Sequence, residues 1–202
     1  MKFGTRQLVI LAVFGALWGV VEMSLGSVLK GLNVPMSGAV LAAIGLAFAL
    51  TGRLFVPQRG STLFIGIIAM VLKLFSIGSV VIGPMIGILA EAILAEIVLS
   101  LFKKPSRLSF ILAASAGVLW TLVQPFFTGW LLFGRDMFVV WLDMLDTGSR
   151  LLGLDPSSAV WIVLGLVAIY VIIGAAGGLL AWSAGRMLRA RMSGSSSYIL
   201  EP

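Results

Sequence analysis

The sequence predicts an all-α integral membrane protein: a compact bundle of six transmembrane helices with both termini on the cytoplasmic side. Three observations carry this. The 202 residues are 60% hydrophobic and only 11% charged, with a mean hydropathy of +1.13, which leaves too little polar surface to cover a soluble globule. Apolar runs recur at close to bilayer length, and a hydrocarbon core about 30 Å thick takes roughly 20 apolar residues per helix. Lysine and arginine, finally, collect at alternate connections. Six spans with short loops fill residues 1–192 as one domain, and the polar stretch 193–202 is expected to be a disordered tail.

The first span is expected from Leu8 to Leu25. Its apolar stretch is longer than the core of a secretory signal, so it reads as a membrane helix. Lys30, Gly31, Asn33 and Pro35 mark the turn that follows. Span two covers Met36 to Leu50, and the connection Thr51 to Gly60 holds Arg53, Pro57 and Arg59. Span three runs from Ser61 to Ile77. A glycine and proline break, Gly78 to Pro84, leads into span four, which ends at Phe102; Lys103, Lys104, Pro105 and Arg107 form the clearest boundary in the chain. Span five extends from Leu108 to Gly134 and contains Pro125, expected to kink it or end it early.

The stretch from Gly134 to Ser158 differs. Phe138, Trp141, Leu142 and Leu145 follow helical spacing, while Asp136, Asp143 and Asp146 interrupt them. That pattern predicts an amphipathic helix lying in the external interface. Asp155 and Pro156 then read as the N-cap and first residue of the last span, which continues to Gly185.

Orientation follows from the cations. With the N-terminus inside, cytoplasmic segments hold Lys2, Arg6, Arg53, Arg59, Lys103, Lys104, Arg107, Arg186, Arg189 and Arg191, ten of the fourteen basic residues. Lys30, Arg135 and Arg150 lie outside, and Lys73 falls within a span. This is a positive-inside distribution, and it makes the number of spans even. The net charge of +6 therefore encodes topology rather than nucleic-acid binding. No internal repeat supports an inverted-repeat carrier.

The inventory bounds the chemistry. Without cysteine or histidine, thiol redox chemistry, Cys/His zinc sites, His-ligated haem and a Ser-His-Asp triad are excluded. No catalytic set, metal cluster or Gly-rich nucleotide loop stands out, so no enzyme and no resident cofactor are expected, and ATP-driven transport would require other subunits.

Four ionisable residues fall at membrane depth: Glu22 in span one, Lys73 in span three, Glu91 and Glu96 in span four. Each costs about 2.5–3.5 kcal/mol even on lenient insertion scales, so each should face the bundle interior and find a partner. Glu22 and Lys73 fall in the external half and Glu91 near mid-depth, so the three could share one outward-facing pocket. A structural pair, Lys73 with Glu91 or with Glu22, is one reading; a carboxylate held available for a cationic or hydrogen-bonding ligand is the other. Glu96, close to Lys103, is expected to snorkel or to meet a partner protein.

Trp120 and Gln124 are one turn apart on span five, and Trp161 and Tyr170 lie on the last span; such groups would suit a ring-shaped solute. Trp130, Trp141, Trp161 and Trp182 also fit an interfacial aromatic belt. Small residues line span one, Ala12 and Ala16 overlapped by Gly15 and Gly19, and span six, at Gly174, Gly177 and Gly178. They allow close helix approach, mostly within the bundle.

The run Ala-Val-Phe-Gly-Ala from Ala12 to Ala16, six spans in about 200 residues, and Gly-Pro-Met-Ile-Gly-Ile-Leu-Ala-Glu-Ala from Gly83 to Ala92 resemble the substrate-binding S components of energy-coupling factor importers. The second run is most similar to the hydroxymethylpyrimidine and thiamine branch. The resemblance covers spans one to four and, beyond them, topology only. It implies a vitamin- or nutrient-binding subunit of a prokaryotic inner membrane, working with a transmembrane coupling subunit and two ATPases. It places the coupling contact on Ala12 and Ala16, and it makes the loop from Lys30 to Pro35, with Asn33, a cover for an external ligand site. Glu22, Lys73, Glu91, Trp120 and Gln124 are the first residues to test as ligand contacts. The competing expectation is a small channel or proton-coupled carrier in which Glu22, Lys73 and Glu91 form an ion pathway.

Overall fold

A computed structural model describes residues 3–32, 34–76 and 82–195. Among them are seven α-helices and no β-strand: α1 (Thr5–Gly31), α2 (Ser37–Phe55), α3 (Ser61–Lys73), α4 (Ile82–Leu101), α5 (Arg107–Phe133), α6 (Met137–Leu152) and α7 (Ala159–Ser195). Five of them, α1, α2, α4, α5 and α7, are long and apolar enough to cross a bilayer, as a multi-pass helical membrane protein requires. The third expected span is shorter than its apolar run suggests. Its 13 residues make a helix about 20 Å long, short of the roughly 30 Å hydrocarbon thickness.

α2 is the central helix, touching α1, α3, α4, α5 and α7. Small residues let the others close on it. The Trp18 indole lies directly over Gly45, in the space a Cβ would fill, and Leu46 packs against Gly117. On the far side of the bundle α7 meets α5 backbone to backbone: a Cβ on Gly174 would reach the Ser115 Cα at 2.5 Å. Gly15 and Gly19 face Ile68 and Leu72 of α3. The small stripes of span one and span six therefore serve packing inside the bundle, whereas Ala12 is exposed and Ala16 half-buried on another side of α1. Since a bilayer supplies little hydrophobic drive between helices, this close approach is a main source of cohesion.

Several boundaries differ from the sequence expectation, each for a local reason. α5 is continuous through Pro125; the proline removes one N–H and leaves the Thr121 carbonyl without its intrahelical donor, while the rest of the ladder holds. α6 is set off by Gly134 and Gly153, at φ 59° and 66°, a conformation that ends a helix at low cost only for glycine. Asp136 caps α6, accepting from the Phe138 N–H at 2.8 Å. Asp155 does not cap the last helix. It closes a turn by accepting from Ser157 N–H at 2.8 Å, and α7 starts beyond it, with the Ser158 carbonyl accepting from Ile162. α7 then runs past Gly185 to Ser195. The expected disorder of 193–202 falls almost wholly outside the described residues, as does most of the break between Gly78 and Pro84.

One end of the bundle is tied by polar contacts. Arg189 of α7 donates to the Leu54 carbonyl at the end of α2 and lies over the Phe55 ring. Arg53 of α2 pairs with Glu96 of α4. Phe3, ahead of α1, meets Phe64 in the first turn of α3, with ring centroids 5.9 Å apart. Arg6, Arg59, Lys103, Lys104 and Arg107 belong to the same end, called the basic end below.

Candidate functional site

α3 starts at the basic end and stops after about 20 Å, and its last residue, Lys73, lines a cavity. The cavity encloses about 260 Å³ between α1, α2, α3, α4 and α5. Three ionisable residues line it: Glu22, Lys73 and Glu91, each more than nine-tenths buried. Four of the eight ligand-contact candidates therefore meet here, these three and Gln124.

Their arrangement is asymmetric. Lys73 Nζ donates to the Glu22 carbonyl at 2.7 Å and lies 3.5 Å from Glu22 Oε2. Of the two structural pairings open to Lys73, the bundle makes the one with Glu22. Glu91 is left over: its Oε2 is buried and has no hydrogen-bond partner among the described residues. An ionised carboxylate in that position is costly until a cation or donor meets it.

The opposite wall is α5. Gln124 Nε2 donates to the Gly83 carbonyl at 2.9 Å, which ties the start of α4 to α5. A Cβ on Gly87 would come within 2.6 Å of Gln124 Oε1, so Gly87 is what admits the amide. Thr121, Pro125 and Thr128 complete this wall.

The other candidates lie elsewhere. Trp120 does not line the cavity although it is one turn from Gln124; its ring stacks along the helix on Phe127, centroids 5.3 Å apart. Tyr170 lines a second cavity of about 240 Å³ between α5, α6 and α7, together with Arg135 and Asp143. Thr121 and Pro125 border both spaces and form the partition between them. Trp161 is 68% exposed on α7. Asn33 lies outside the described residues.

Glu96 corrects the sequence expectation. It neither snorkels nor waits for a partner protein: Oε1 accepts from the Gly60 N–H at 2.7 Å and Oε2 from the Thr62 N–H at 3.0 Å, while Arg53 Nη1 stands 3.3 Å away. A side chain of α4 thus caps the N-terminus of α3, where unpaired N–H groups and the helix dipole favour an anion.

Comparisons with protein-family models, with curated proteins and with solved structures return no match. The site is therefore read from its chemistry. It is a half-open chamber with largely apolar walls, one buried ion pair, one amide, two threonine hydroxyls, and one buried carboxylate oxygen without a hydrogen-bond partner. Such a chamber suits binding of a small polar or cationic molecule. At about 260 Å³ it lies just below the range of roughly 300–1,000 Å³ usual for drug-sized ligands, which suits a small ligand.

Proposed function

We propose that this chain is the membrane-embedded, solute-binding subunit of an energy-coupling factor importer. In this reading it crosses a prokaryotic inner membrane six times, α3 being a short sixth span, with the basic end and both termini in the cytoplasm. The cavity then opens outward and captures a vitamin-like nutrient, nearest in kind to thiamine or its pyrimidine. The subunit performs no chemistry itself; a coupling subunit meeting Ala12 and Ala16 and two ATPases supply the energy.

The observation that carries the proposal is Glu91 Oε2, buried without a hydrogen-bond partner in the wall of a cavity between the helices. A carboxylate needed only for packing could be replaced by an apolar group at no loss; one held for a cationic or donor-bearing solute is satisfied only when the solute arrives. Support also comes from the resemblance at Ala12–Ala16 and Gly83–Ala92, and from the collection of cations at one end. The test is mass spectrometry of solutes released from gently purified protein, compared with a Glu91→Gln variant. The variant should release at least about tenfold less, a loss of roughly 1.4 kcal/mol. Unchanged solute content with lowered thermal stability would return Glu91 to a purely structural role.

A proton-coupled carrier draws on the same clustering of Glu22, Lys73 and Glu91. Against it, the ionisable chain does not continue: Glu96, next along α4, is committed to α3 and Arg53. Proton flux through liposomes holding this protein alone would favour the carrier.

A further inference from the structure

The basic end contains a cavity that the proposed function does not use. It encloses about 200 Å³ between the α2–α3 connection and the end of α4, and Arg53, Arg59, Lys103 and Ser100 supply its polar lining. We propose that it seats the phosphate of an anionic phospholipid. The proposal requires the bundle to lie in a bilayer and is independent of what the central cavity takes.

The charge balance comes first. Three cations line the space, and the carboxylate beside them is Glu96. Glu96 is already occupied by two backbone N–H groups and by the Ser100 hydroxyl at 3.3 Å. Arg53 is only 6% exposed. Its Nη1 stands 3.3 Å from Glu96 Oε1, an ion pair. Arg59 has a long 3.5 Å bond to the Ser100 carbonyl, and Lys103 makes no ion pair among the described residues. Three cations beside a single carboxylate that is already engaged leave a net positive cavity, a receptor for a phosphate, whose oxygens accept several N–H groups at once.

The surroundings favour a lipid over a free anion. The α4 helix whose end lines the cavity carries exposed apolar side chains there, Ile97 at 53% and Leu101 at 78%. Acyl chains would lie along them with the headgroup in the cavity. Basic pockets between membrane helices bind anionic headgroups in this way.

The test uses the purified, delipidated full chain with phosphatidylglycerol, phosphatidylcholine or inorganic phosphate, read by native mass spectrometry and by thermal shift. Phosphatidylglycerol should bind and stabilise, and phosphatidylcholine should not. Arg59→Gln with Lys103→Gln should weaken phosphatidylglycerol roughly thirtyfold. Arg186→Gln with Arg191→Gln, removing as many cations from the same end but outside the cavity, should change it less than about threefold. Equal retention of the two lipids, or equal losses in the two double variants, overturns the proposal. Inorganic phosphate that stabilises as well as the lipid and displaces it makes the occupant a soluble anion, and overturns the lipid assignment. Undiminished lipid binding after loss of Arg59 and Lys103 also overturns it, leaving the cavity to an acidic segment of a partner protein. If the double variant does not fold, wild-type protein decides: phosphatidylglycerol but not phosphatidylcholine should protect Lys103 from acetylation, and equal labelling in both lipids refutes the site.

Discussion

Replacing Glu96 by alanine should be among the most damaging single changes in the bundle. Its carboxylate accepts from the Gly60 and Thr62 N–H groups at 2.7 and 3.0 Å and faces Arg53 at 3.3 Å. Each hydrogen bond to a charged acceptor contributes about 1.5–3 kcal/mol, and breaking a buried pair by removing one partner costs about 3–5 kcal/mol. These terms overlap, because water that reaches the vacated space solvates both the α3 terminus and Arg53. A loss of at least about 4 kcal/mol remains, which for a chain of this size lowers the melting temperature by roughly 10 °C or more. Thermal unfolding in detergent, followed by the fluorescence of the six tryptophans, measures it. Glu96→Gln keeps one acceptor oxygen and should fall between. Glu96→Ala combined with Arg53→Met should recover part of the loss, since the orphaned guanidinium is gone while the α3 N–H groups stay uncapped. A Glu96→Ala protein melting within about 3 °C of wild type, under 2 kcal/mol on the same scale, would refute this account of how α3 is anchored.

Lys73→Met removes the donor to the Glu22 carbonyl and its ion pair; melting should fall, and adding Glu22→Gln should give back at least about 1 kcal/mol relative to the sum of the single effects. Gly87→Leu should drive the Gln124 amide from its place and fill the cavity, so that the solute content of the purified protein drops to background while helical circular dichroism is retained. Asp155 titrates in a connection outside the spans, its carboxyl held below the ordinary value by the Ser157 hydroxyl and then by the Ser157 N–H. A lowered folded-state pKa gives stability that is complete above the unfolded carboxylate range and is lost as pH falls through the folded value. The turn ahead of α7 should therefore stay ordered to lower pH than free aspartate titrates, and an Asp155 chemical-shift titration with an ordinary midpoint would show that the Ser157 contacts are not made.

What the sequence made legible was set by period and by charge. Apolar runs located all the long helices, because a lipid-facing helix must be apolar over its whole length. The ends were less legible, since hydropathy does not register a backbone turn: α3 stops at Lys73 although apolar residues continue. The cavity carried a readable signal that single residues hid. Pro84, Gly87, Ile88 and Glu91 stand at i, i+3, i+4 and i+7, as do Thr121, Gln124, Pro125 and Thr128, and all eight line it. Two helical faces mixing polar, small and proline residues within apolar spans are the mark of walls that do not face lipid. Trp120 misled because one turn of separation places two Cβ atoms together without fixing where a large ring then turns. Glu96 misled because the N–H groups that satisfy it belong to the backbone of another helix, and composition is silent about those.

The two ends of the bundle divide the polar work between them, and the length of α3 explains how. Glu96 fixes the start of α3 at the basic end. Since the helix is only about 20 Å long, its last residue must stop inside the bundle. Lys73 is that residue, and the only buried anion it meets among the described residues is Glu22. A longer α3 would carry Lys73 toward the opposite surface, fill the chamber with side chains and leave Glu22 and Glu91 facing apolar walls. Lengthening α3 by one turn, with four alanines inserted after Ala69, separates the two roles: the Glu96 cap should survive, while the Lys73–Glu22 contact and solute retention should both be lost. If solute is retained with the pair broken, the chamber does not depend on where α3 ends, and the short helix has another cause.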